Sequence, residues 1–95
     1  MSTGASLYMV IERFHPGAAD EIYRRAREHG RMLPPGLEYL DSRVDLDLSR
    51  CFQLMRTAER ALIDTWIEAW NDLVEFEVVA VQGSADAARA SSAAR

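Results

Sequence analysis

Leu37–Arg56 reads LEYLDSRVDLDLSRCFQLMR, and this stretch decides the fold. Its side chains alternate with a two-residue period, the signature of a half-buried strand. Up to Leu46, one face carries Leu40, Ser42, Val44 and Leu46, and the other carries Tyr39, Asp41, Arg43 and Asp45. Asp47-Leu48-Ser49-Arg50 has the polar composition of a turn. Cys51–Arg56 alternates again, with Phe52 and Leu54 opposite Cys51, Gln53 and Met55. Two alternating runs joined by a short polar turn predict a β-hairpin. The elements on either side of that hairpin determine what kind of sheet it joins.

Upstream, Pro34-Pro35-Gly36 places Pro then Gly at the central positions of a type II turn. Ala18–His29 is predicted helical. Asp20 and Glu21 fall in its first turn and Arg24, Arg25 and Arg27 later, an order that complements the helix dipole. Ile22, Ala26, His29 and Leu33 make its stripe, and Gly30 ends it. Phe14-His15-Pro16-Gly17 separates it from a strand at Leu7–Arg13. Downstream, Thr57 suits an N-cap, with Glu59 just inside the helix. That helix is expected to reach about Leu73, with Leu62, Trp66 and Trp70 on a wide apolar stripe flanked by Ile63, Ile67 and Leu73. Val74–Gln82 alternates as a last strand. The order strand–helix–strand–strand–helix–strand is the split βαβ, an α+β ferredoxin-like βαββαβ fold. Right-handed crossovers place both helices on one face of a four-stranded antiparallel sheet. Residues 1–5 are expected to be a disordered N-terminus, residues 6–82 the domain, and residues 83–95 (GSADAARASSAAR) a low-complexity tail.

The chain has 95 residues, one domain's worth. All 11 basic residues are Arg, against 15 acidic ones, for a net charge of -4. That balance excludes a nucleic-acid surface and disfavours anionic lipid, so neither nucleic acid nor membrane is an expected partner. A single Cys excludes an intramolecular disulfide and a CxxC site. Two His and one Cys have no metal-ligand spacing, and the Asp41, Asp45, Asp47 cluster lacks the Gly and terminal Glu of a calcium loop. No phosphate loop or nucleophile elbow occurs, and no cofactor is expected. With no leader pattern and no long apolar run, a bacterial-style cytoplasmic protein is the expectation.

The wholly apolar strand faces are expected to point at the helices. The opposite face would then hold Tyr8, Val10, Glu12, Tyr39, Asp41, Arg43, Cys51, Gln53, Met55, Glu75, Glu77, Val79 and Val81. So mixed a face is expected to be covered. The ordered core is also small for a chain of this length. A homodimer through the open sheet face would answer both points.

The segments LYMVIERFHPG, GRMLPPGLEYLDSRV, CFQLM and WIEAWNDLVEFEVVAV together resemble a family of small, uncharacterised bacterial proteins, a domain of unknown function. The resemblance spans residues 7–82. It implies the dimeric α/β-barrel form of the ferredoxin-like fold, in which two sheets pack face to face around a cleft. It implies no activity. The wider dimeric-barrel group includes cofactor-independent monooxygenases, lactone isomerases and haem-degrading enzymes, an analogy of fold alone.

The candidate ligand-binding residues are Tyr8, Glu12, Tyr39, Arg43, Gln53, Glu77 and His15. Glu12 and Glu77 on neighbouring strands would have raised pKa values in a closed cleft, which suits acid–base work. Arg43 could neutralise them or bind an anionic group; the plainer reading is cross-strand ion pairing. His15 sits at a strand end near a possible cleft mouth, and its plainer reading is an exposed loop histidine. His29 suits a helix C-terminus. Cys51 has no His beside it and reads as a small buried residue rather than a nucleophile. Trp66 and Trp70 fit the core stripe, or could frame a pocket. The sequence leads to a homodimer binding a small organic molecule between its sheets. The competing classes are a non-catalytic structural or interaction protein with a filled interface, and a cofactor-independent monooxygenase- or isomerase-like enzyme.

Overall fold

A computed structural model describes residues 4–93. Its elements are β1 (Ser6–Phe14), α1 (Ala19–His29), β2 (Glu38–Val44), β3 (Arg50–Thr57), α2 (Ala61–Glu68), β4 (Val74–Val81) and α3 (Ser84–Ala93). The four strands form one antiparallel sheet in the order β2-β3-β1-β4, the ferredoxin-like arrangement. Among the described residues, no helix is long and apolar enough to cross a membrane. Of the expected frayed terminus, residues 1–3 lie outside the described residues, as do 94 and 95 at the other end.

The local chemistry explains the connections. Gly36 has φ +97°, and the Leu37 N–H donates to the Pro34 carbonyl at 3.2 Å, so Pro35-Gly36 occupies the centre of the turn as its sequence requires. A Cβ at Gly36 would also stand 2.9 Å from Leu62 Cδ1. The β2–β3 turn is organised by Asp45, whose carboxylate accepts the N–H groups of Ser49 and Arg50. Those bonds hold its carboxyl well below the usual range. Helix α2 is shorter than expected. It stops at Glu68 and passes into tight turns in which Ala69, Trp70 and Leu73 donate to carbonyls three residues back. Thr57 ends β3 rather than capping α2, and its hydroxyl accepts the Glu59 N–H. The expected tail contains a helix, α3, as its Ala content allows.

The faces of β1 and β3 are the reverse of the sequence expectation. Val10 pairs with Gln53 on one side and Val78 on the other; Glu12 pairs with Cys51 and Phe76. Cross-strand partners share a face. On β4 the expected set, Val74, Phe76 and Val78, does pack toward the helices. Register therefore carries Phe14, Glu12 and Val10 inward with them, followed by Cys51, Gln53 and Met55 on β3. Leu7, Met9, Ile11, Phe52 and Leu54, expected inside, lie on the open face. On β2 a bulge between Tyr39 and Asp41 resets the alternation. It places Tyr39 on the same side as Ser42, and their hydroxyls are 2.8 Å apart.

The core joins Val10, Met55 and Val74 of the sheet to Ile22 of α1 and Ile63 and Trp66 of α2. Val10, Met55 and Ile63 have no exposed surface. Burying each contributes roughly 1.5–3 kcal/mol. Trp66 meets Phe76 edge-on at 5.5 Å, which locks α2 against β4.

Candidate functional site

The inner face of the sheet is not filled from end to end. Toward the C-terminal end of β1 the sheet and helices part around a cavity of about 260 Å³. Its walls are Phe14 of β1, Ile22, Tyr23 and Ala26 of α1, Val44 of β2, and Trp66, Trp70 and Val74. The polar groups are few and converge from different elements: Glu12 of β1, Cys51 and Gln53 of β3, Ser42 of β2, and Arg31 from the α1–β2 loop.

Glu12 is the central group. It is 9% exposed, and among the described residues its carboxyl takes no hydrogen bond or ion pair. Burial raises its pKa from 4.5 to about 7, with the charge of Arg31 opposing the rise. A carboxyl so placed is divided between its acid and carboxylate forms at neutral pH, and can donate or accept a proton. Beside it, burial and the Glu12 charge push the Cys51 thiol up to about 12. Cys51 is a neutral wall residue, as the sequence suggested, and not a thiolate nucleophile. Tyr23 is raised in the same sense, mainly by burial.

The lip is built by the loop after α1. Gly30 ends the helix with φ +68°, and Met32 adopts φ +59°, uncommon for a residue with a side chain. Between them, the Arg31 carbonyl accepts both indole N–H groups, from Trp66 at 2.9 Å and Trp70 at 3.1 Å. Both tryptophans are thereby oriented as walls with their polar atoms satisfied. The Arg31 guanidinium lies over the Tyr39 ring at 3.6 Å.

The expected site residues divide between the two faces of the sheet. Glu12 and Gln53 line the cavity. Tyr39 borders its lip through Arg31, and Tyr8 lies further along the same face, packed against the core. Arg43 and Glu77 are on the opposite, open face, where Arg43 pairs with Asp41 at 2.6 Å and Glu77 with Arg13 at 3.2 Å. The expected grouping of Glu12, Glu77 and Arg43 therefore does not form. His15 is half-buried in the β1–α1 turn, its N–H donating to the Leu73 carbonyl, and is not among the lining residues. His29 ends α1 in solvent. The cavity lies between sheet and helices, not between two sheets. Arg31, Ser42 and Tyr23 were not singled out from sequence. Glu12 did carry a signal: it interrupts the otherwise apolar set Tyr8, Val10, Phe14, and an interrupted apolar face is where a buried polar group belongs. Arg31, a lone loop arginine, carried none.

The match to known families is broad in extent and coarse in content. Residues 6–95 match a family described as a domain of unknown function, DUF3303. No curated protein and no solved structure matches the chain.

Proposed function

We propose that this chain, which belongs to the DUF3303 family of unknown function, binds a small organic molecule between its sheet and helices. The observation that carries this reading is the unpartnered Glu12 carboxyl inside an apolar, tryptophan-walled cavity of about 260 Å³. Sites for small molecules are mostly apolar with a few convergent polar groups. An apolar cavity of about 150 Å³ accommodates benzene, so this space suits a single substituted ring. The Glu12 carboxyl has no partner within the chain and lines the cavity, so a ligand with a complementary group can supply one. The pKa of Glu12 also suits proton transfer to or from a bound molecule, should the ligand be a substrate.

The test uses Trp66 and Trp70 as reporters. Single-ring compounds added to the protein should change tryptophan fluorescence saturably. Ala26→Phe, which fills the cavity from α1, should abolish the change while leaving the circular dichroism intact. An unchanged response in that variant would remove the cavity as the site.

A second reading concerns the open face. Leu7, Met9, Ile11, Phe52, Leu54, Val79 and Val81 form one apolar patch there, and Val79 is 39% exposed. Around it, Arg13–Glu77, Arg43–Asp41 and Arg56–Glu38 are paired within the chain. An apolar centre with a largely paired rim fits another copy of itself better than a strongly charged partner. We therefore propose a homodimer through this face. Sedimentation equilibrium should give twice the chain mass at micromolar concentration; a monomer there would remove the proposal and leave the cavity untouched.

A further inference from the structure

Eight of the ten described arginines form ion pairs with carboxylates. Arg27 and Arg31 do not, and of these two only Arg31 lines the cavity. Its guanidinium carbon lies 3.6 Å from the Tyr39 ring centroid, and no carboxylate among the described residues takes its N–H groups. Glu12 is the carboxyl among the residues lining the same cavity, and the charge of Arg31 acts on it. Yet no hydrogen bond or ion pair joins them. The cavity thus holds an unpaired cation at its lip and an unpaired carboxyl in its wall, on elements fixed by other interactions. The loop bearing Arg31 is held by the two indole bonds to its carbonyl, and Glu12 by its place in the middle of the sheet.

We propose that the ligand is a small monocarboxylic acid built on a single ring, bound as its anion, with its carboxylate between Arg31 and the Glu12 acid and its ring against Trp66 and Trp70. The inference rests on the cavity being a binding site and names what fills it. One carboxylate can partner both groups. Arg31 donates charge-assisted hydrogen bonds to it, and Glu12, protonated, donates a further one. One cation and one anion leave the site neutral, whereas a phosphate dianion would bring excess charge to a mostly apolar wall. The other groups facing Glu12 do not compete for this role. Cys51 and Tyr23 remain neutral, Gln53 and Ser42 are uncharged, and the neighbouring surfaces of α2 and β4 present Trp66, Trp70 and Phe76. Asp45 bears on the site only through its field at Cys51.

The experiment compares three probes of equal ring size, benzoate, benzyl alcohol and benzylammonium, by tryptophan fluorescence and calorimetry on the whole chain. Benzoate is expected to bind best and benzylammonium not detectably. Arg31→Gln should weaken benzoate on the order of ten- to a hundredfold, the worth of a charge-assisted hydrogen bond, with benzyl alcohol little changed. That substitution leaves the backbone carbonyl that holds the tryptophans in place. Calorimetry at pH 7 in two buffers of different ionisation enthalpy should show uptake of roughly half a proton per benzoate bound, because the ligand anion draws a proton onto Glu12. Glu12→Gln should bind benzoate with no uptake. Benzyl alcohol binding as tightly as benzoate, an Arg31→Gln variant with unaltered benzoate affinity, or no proton exchange would overturn the acid ligand while the cavity stands. No response to any of the three would overturn both readings.

Discussion

The two faces of the sheet solve opposite problems. The inner face meets the helices and is mostly apolar, and its one carboxyl, Glu12, is unpaired among the described residues. The outer face has an apolar centre and carries its charges at the rim, where Glu77, Asp41 and Glu38 each pair with an arginine and Glu75 makes no ion pair among the described residues. The half-exposed Glu77 has an ion-pair partner, whereas the mostly buried Glu12 has none among the described residues. That contrast is what the proposed ligand site on the inner face rests on.

The sharpest way to break this comparison is to delete one methionine and one leucine that are neighbours on β3 but point oppositely. Met55→Ala, at a position with no exposure, should cost about 2–5 kcal/mol in chemical denaturation at any protein concentration. Next in size is Glu12. Its folded pKa lies above its ordinary 4.5, so the native state keeps the proton that the unfolded chain releases. Its contribution is therefore full below pH 4.5 and is lost as pH rises toward 7. Glu12→Gln should match wild type near pH 4 and exceed its stability by about 3 kcal/mol at pH 8. Denaturation midpoints across that range measure it, and parallel curves would show that Glu12 is not buried as an acid. If the proposed dimer forms, Leu54→Ala should cost about 1–2 kcal/mol when the protein is concentrated, and less on dilution, because a second copy would remove its surface from water. Equal cost at all concentrations would place the outer face in solvent. The smallest effect belongs to Arg13→Ala. It breaks a half-exposed pair and should change stability by less than about 1 kcal/mol.

The reversal of β1 and β3 shows how far alternation can be read. Tyr8, Val10 and Phe14 make as good an inner face as Leu7, Met9 and Ile11, and only Glu12 argues against them. Polarity alone favours the cleaner set, and cross-strand register overrides it. The same reversal separates Glu12 and Gln53, which line the cavity, from Arg43 and Glu77, which lie across the sheet. Tyr39 changed sides through a bulge that nothing in LEYLDSR announces. Arg31 escaped notice because its position depends on two left-handed backbone residues and two indoles distant in sequence.

By itself the sequence determined the order of elements, the central hairpin, the Pro-Gly turn and the charge balance, because each depends on residues close along the chain. The tertiary structure alone decided which strand faces turn inward, where the cavity opens, and that Arg31 and Glu12 share it. Those outcomes depend on cross-strand register, in which a shift of one residue exchanges the two faces, and on packing between segments that local spacing does not relate.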